Sequence, residues 1–223
     1  MRMTAALAAM VTVGGPLAAT SAANAAAYTF TQLDVPGATR TVANDINDAG
    51  QIVGQFVNST GTHGFLDTDG SFTQIDVPGA TLTTARGIND AGQIVGSFSN
   101  SSGTHGFLDT DGSFTQIDAP GGTFSFTSAN GINDAGQIVG LGALHGFLYS
   151  GRSFTQLDVP GGTATVAFGI NDAADIVGGF DNNTHGFLAT PVPEPASLTL
   201  LSVALIVAGL GVTRLRATPS RRP

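Results

Sequence analysis

Gly87-Ile88-Asn89-Asp90-Ala91-Gly92-Gln93-Ile94-Val95-Gly96 decides the fold, because the same ten residues return at 131–140 and close variants stand at 45–54 and 169–178. Each copy reads as two β-branched stretches around an Asn-Asp-Ala-Gly turn, with Gly available for positive φ. Working outward, His-Gly-Phe-Leu recurs at His63, His105, His145 and His185. Phe-Thr-Gln recurs at Phe30, Phe72, Phe114 and Phe154, with spacings of 42, 42 and 40 residues. The period predicts one structural unit written four times.

Each unit reads as four short strands. In the second, residues 83–88 and 93–98 flank the turn, and a polar loop leads to Thr104-His105-Gly106-Phe107-Leu108. Asp109-Thr110-Asp111-Gly112 is a second turn, residues 113–118 form the last strand, and Ala119-Pro120-Gly121 suits a type II turn. No segment of residues 28–190 has a helical period. The expected class is all-β, and four strands per unit of about 40–45 residues is the signature of a propeller blade. The repeats open on an orphan Phe30-Thr31-Gln32 and end on His185-Gly186-Phe187-Leu188 without its Phe-Thr-Gln. That phase predicts a small four-bladed β-propeller closed by the N-terminal strand, since closure removes sheet edges. A β-solenoid is the alternative, and an open array pairing with other copies is a third form. In the fourth unit Ala174-Asp175 replaces Gly-Gln, which predicts a looser hairpin.

The two ends read as addresses. Residues 1–27 have Arg2, an apolar run over 5–13 and a small-residue ending at Ala25-Ala26-Ala27, the pattern of a secretory signal peptide. Residues 191–223 hold Pro193-Glu194-Pro195, an uncharged apolar stretch over 197–213 that predicts a transmembrane helix, and a tail with Arg214, Arg216, Arg221 and Arg222. This order resembles the PEP-CTERM sorting signal, with Pro193, Glu194 and Pro195 as its motif. The resemblance implies a Gram-negative bacterium, an exosortase as partner during sorting, transient anchoring through the C-terminal helix, and delivery to the cell surface or extracellular matrix. The units at 87–96 and 131–140, each followed by His-Gly-Phe-Leu, resemble the HAF family of extracellular repeats, whose usual ending is His-Ala-Phe. That resemblance implies secretion and no particular reaction.

Composition excludes several classes. The 223 residues include no Cys and no Trp, and every one of the 8 basic residues is Arg. Thiolate chemistry, disulfides and cysteine-held metals are therefore absent. Between residues 28 and 190 there are 3 Arg against 15 Asp, a net charge of −12. That balance argues against nucleic acid as a partner.

Three sets of residues could carry chemistry. Asp67 with Asp69, and Asp109 with Asp111, place paired carboxylates around tight turns, a setting for calcium. Neither pair completes a calcium loop with a distal Glu, so the turn-forming role of Asp is the base case. His63, His105, His145 and His185 occur once per unit, which suits a structural role over a ring of metal ligands. No Gly-x-Ser-x-Gly elbow or residue set peculiar to one unit marks a nucleophile, so no catalytic residue is assigned. The expected protein is not an enzyme and needs no cofactor. It is a structural or adhesive matrix component, binding exopolysaccharide through the loops at 57–62, 99–104 and 181–184. The alternatives are a glycan-active enzyme on a propeller and a calcium-stabilised scaffold.

Overall fold

The Asn-Asp-Ala-Gly turns and β-branched stretches fold as the repeat predicts, into antiparallel meanders. The structure, a computed structural model, describes residues 29–121 and 126–192. The signal segment at 1–27, the motif Pro193-Glu194-Pro195 and the apolar stretch beyond it lie outside the described residues. Among the described residues no helix is long and apolar enough to cross a membrane. The chain divides between Gln32 and Leu33, and every described strand belongs to the second unit.

The first meander is β1 (Arg40–Ile46), β2 (Ile52–Asn58), β3 (Gly61–Thr68) and β4 (Ser71–Ile75). The second is β5 (Leu82–Ile88), β6 (Ile94–Asn100), β7 (Gly103–Thr110) and β8 (Ser113–Ile117). The third is β9 (Thr127–Ile132), β10 (Ile138–Gly142), β11 (His145–Ser150) and β12 (Ser153–Leu157). The fourth has three strands, β13 (Thr165–Ile170), β14 (Ile176–Phe180) and β15 (His185–Ala189). Among the described residues, parallel pairing, which a solenoid would use throughout, is confined to single bridges between meanders, Thr62↔Leu82 and Thr104↔Phe126.

The expected strand at Phe30-Thr31-Gln32 is not formed: residues 29–39 contain no strand, and the Phe30 side chain is 96% exposed. The reason is local. In the other units the Phe-Thr-Gln strand is the second arm of a hairpin whose first arm is the His-Gly-Phe-Leu strand just before it, as in Gly64↔Ile75 through Thr68↔Ser71. Phe30 follows no such arm, so a ladder there must be bought with long-range closure.

Two devices shape each sheet. The first strand carries a bulge, for example between Ala85 and Gly87 opposite Gly96 and Val95. The Gly of Val-Gly then fills a place no Cβ can occupy: on Gly96 it would collide with the Thr84 carbonyl and the Phe107 ring. Gly54, Gly140 and Gly178 meet the same pair of neighbours in their own units. This couples Val-Gly to the Phe of His-Gly-Phe. The two-residue hairpins Asp69-Gly70 and Asp111-Gly112 have positive φ at both positions, the type I′ geometry that matches strand twist. The fourth-unit turn is not loosened as expected. Ala174 takes φ 62° and its N–H donates to the Asn171 carbonyl at 2.9 Å, as Gly92 does to Asn89 at 3.0 Å.

Most of the core lies between meanders; the exception is Phe56 and Phe65 of the first, which pack on Val35 in the segment before β1. Val53, Ile75 and Val77 of the first pack on Ala85, Ile88, Ile94, Phe98 and Phe107 of the second. Val95 and Ile117 meet Ala129, Ile132, Ile138 and Phe147, and Val139 meets Ala167 and Ile176. Each meander thus offers a Val/Leu/Ile face to its successor and an Ala/Ile/Phe face to its predecessor.

Candidate functional site

Each Asn of the Ile-Asn-Asp-Ala phrase caps its own turn and reaches the next unit. Asn89 Oδ1 accepts from Gln93 N at 2.9 Å, and Asn89 Nδ2 donates to Gln93 Oε1 at 2.9 Å and to the Asn133 carbonyl at 3.1 Å. Asn47 reaches the Asn89 carbonyl and Asn133 the Asn171 carbonyl in the same way. The neighbouring Asp extends the ladder: Asp48 N donates to Asp90 Oδ1, Asp90 N to Asp134 Oδ1 and Asp134 N to Asp172 Oδ1, at 2.8 to 2.9 Å. A shallow concavity of 280 Å3 runs along these four turns. The carboxylates of Asp45, Asp90, Asp134 and Asp172 are occupied in holding meanders together, which is a structural task.

The repeat histidines do not converge. Nδ1 of His63, His105 and His145 lies 2.8 to 2.9 Å from Asp76, Asp118 and Asp158, each in its own unit. Gln74, Gln116 and Gln156 brace the same carboxylates. The Gln156 amide and His145 hold the Asp158 carboxyl below its ordinary range. Fourth-unit His185 stacks near Phe180, with ring centroids 5.2 Å apart. Among the described residues no group of three or more His, Asp or Glu side chains could hold a metal ion.

One arrangement was missed in the sequence. Ser102 Oγ lies 2.9 Å from His105 Nε2, whose Nδ1 faces Asp118. The spacing is that of a serine triad, but the hydroxyl donates its one proton to Asn100 Oδ1, so toward His105 Nε2 it can only accept. The readable signal was Ser/Thr three residues before His and Asp thirteen after. Thr60, His63 and Asp76 repeat it, with Thr60 Oγ1 at 2.8 Å. Both hydroxyls also touch the Asn that begins the turn, Asn58 or Asn100, at 2.6 Å. The loops expected to meet sugar hydroxyls therefore spend these polar groups on closing their own hairpins.

The acidic turns divide. Asp69 and Asp111 sit at the hairpin tips and are exposed, whereas Asp67 and Asp109 point into the sheet and are 4% and 7% exposed. Oδ1 of each buried carboxylate has no hydrogen-bond partner among the described residues. Burial pushes the Asp109 carboxyl up, against the Gly112 N–H that lowers it, and the Asp111 charge adds to the rise. The sheet itself does not need a carboxylate at this register. Tyr149 stands there opposite Ile138 in the third meander, stacked on Phe154, and Ala189 opposite Ile176 in the fourth.

Asp109 lines a groove of 490 Å3 between the first two meanders. Leu66, Ile75, Ile94 and Phe114 supply its apolar surface, and Gln51, Gln74, Asp76, Asp90 and Asp111 its polar groups. This size and mixture suit a small ligand or a segment of a longer one.

Comparisons with known proteins add little to this geometry. No family model matches the chain, and no curated protein matches it. A solved structure that is similar is a catalytically inactive variant of virginiamycin B lyase from Staphylococcus aureus, crystallised with quinupristin. Sequence identity is 16% and the TM-score is 0.40. The match covers 70% of this chain and 58% of that one.

Proposed function

We propose that this is an exported bacterial repeat protein whose four meanders are propeller-type blades, and that it binds a neutral polysaccharide without acting on it. One observation carries the binding reading: Asp109, whose buried Oδ1 is unpaired, lines an amphipathic groove, in a register the fold fills with an equally unpaired Asp67 in the first meander and with Tyr149 and Ala189 in the third and fourth. An unsatisfied buried acceptor is costly, and a hydroxyl donor offsets that cost. Sugars present hydroxyls at the rim of apolar ring faces, which fits carboxylates and amides beside Leu66, Ile75, Ile94 and Phe114. The carboxylates around the groove repel an anionic polymer, so the ligand is uncharged. PEP-CTERM-type sorting with an exosortase supports delivery of such a binder to the surface or matrix. The reading needs no cofactor; a melting temperature that rises with calcium would shift it toward the ion-stabilised alternative.

Affinity electrophoresis of the full chain through gels containing dextran, a neutral glucan, or alginate, an acidic one, tests it. Retardation by dextran, abolished in Asp109→Ala and absent with alginate, supports the reading. Unretarded migration in both, or retardation by alginate alone, refutes it. The Ser102–His105–Asp118 geometry favours a second reading, a serine hydrolase. Its recurrence with Thr60 and the engagement of both hydroxyls by Asn fit a hairpin clip better. Covalent labelling of Ser102 by a fluorophosphonate would overturn that preference.

A further inference from the structure

We propose that copies of this chain join head to tail, the fourth meander of one receiving the first meander of the next. The joint repeats the contact already made three times within the chain and is independent of ligand binding in the groove.

The two outer faces of the stack are complementary and only partly covered: on the first meander Phe56 and Phe65 are buried against Val35 of the same chain, while the Ala43 and Ile46 end of that face and the far face of the fourth meander lie open. Val53, Val95 and Val139 are fully buried by the following meander, whereas their counterpart Val177 is 50% exposed and Leu188 beside it 66% exposed. At the other end Ala85, Ala129 and Ala167 are fully buried against the preceding meander, whereas Ala43 is exposed, and Ile46 is 60% exposed where Ile88 is 5%. Backbone packing ends with the side chains. A Cβ on Gly87 or Gly131 would press on the backbone of the next unit, but one on Gly169 meets only Val177 of its own. The first strands pack in series, β1 on β5, β5 on β9 and β9 on β13, with no comparable packing of β13 on β1. The chain does not cover its own ends in the way it covers its middle.

The polar ladder has the same two loose ends among the described residues. It starts at Asp48, whose carboxylate has no earlier unit to serve, and stops at Asp172, whose N–H has no fifth carboxylate to meet. A second copy supplies both, with Val177 and Leu188 meeting the partner's Ala43 and Ile46. In the repeat, the strand completing one sheet directly precedes the next unit, and Phe30-Thr31-Gln32-Leu33 holds that place before β1. The incoming copy therefore also brings the Phe-Thr-Gln segment whose counterparts complete the other three sheets. Such a contact is heterologous, so copies either close into a ring or extend as a fibre.

Sedimentation velocity of the full chain over a wide concentration range tests the joint. The unaltered chain is expected to form a closed dimer or longer assemblies. Val177→Asp with Leu188→Asp spoils only the tail face, and Ile46→Asp only the head face, so each variant alone should be monomeric. Mixed, they retain one intact face each and should form a one-to-one dimer that grows no further. Far-UV circular dichroism checks that both variants are folded. A monomeric unaltered chain at all concentrations overturns the proposal, because the ends are then covered from within the chain. Persistence of the assembly in either variant also overturns it, as does failure of the folded mixture to pair.

Discussion

Truncating Asn89 to Ala removes one rung from the middle of the ladder, and the structure sets the size of the loss. Asn89 is 3% exposed and makes three side-chain hydrogen bonds, two to Gln93 and one to the Asn133 carbonyl. The Asn133 carbonyl keeps a partner, because it also accepts from Gly136 N at 2.9 Å. Gln93 Oε1 is half-buried and can turn to water, so the orphaned group is the Gln93 N–H. At about 1 kcal/mol net per bond the loss is about 3 kcal/mol. Asn171, the same residue in the last unit, makes only the two bonds to Asp175 among the described residues, and because it is exposed water competes for both at about half the value each, so Asn171→Ala should cost about 1 kcal/mol. Urea unfolding of both variants, followed by circular dichroism at low protein concentration, measures the difference through the midpoints at a common slope. Equal losses would refute the reasoning, since they would mean that the bond between units contributes nothing. A changed slope for Asn89→Ala would instead mean that the stack has begun to unfold unit by unit.

Gly96→Ala should destabilise by about 3 kcal/mol, because its Cβ has the Thr84 carbonyl and the Phe107 ring in its place, and thermal melting reads the loss. Asp109→Asn should stabilise by about 1 kcal/mol at neutral pH while weakening retardation by dextran, a separation of stability from binding. The sign follows from burial. A carboxyl raised in the folded state favours folding below the ordinary aspartate value of about 3.9, and that contribution is lost as pH rises through its folded value. The advantage of Asn over Asp should therefore grow with pH through this window and then level off in urea midpoints. Ala174→Gly should stabilise by about 0.5 to 1 kcal/mol, since Ala174 holds φ 62° where the other three units have Gly, and the melting temperature would rise.

The serine-like clip shows why part of the site was not legible. Ser102, His105 and Asp118 stand in three separate strands or turns, and their spacing was readable, but only the register of β7 on β8 shows that it brings them into line. Asp109 illustrates the same limit. Its turn was readable as Asp-Thr-Asp-Gly, but alternation alone did not separate the buried Asp109 from the exposed Asp111 at the hairpin tip.

The repeat by itself determined the all-β class, the four units, the antiparallel meanders and the turns, because each hairpin closes over few residues and carries its own Gly, Asn or Asp. The positions of Ala, Ile, Val and Phe along those strands were likewise written in the chain. Only the tertiary structure decided which face each sheet offers to its neighbour, and that among the described residues Phe30-Thr31-Gln32 does not complete the fourth sheet. Those outcomes depend on contacts between units some forty residues apart, where identical sequences meet different surroundings. Val95 and Val177 occupy the same place in the repeat, yet one is sealed by a following unit and the other lies open.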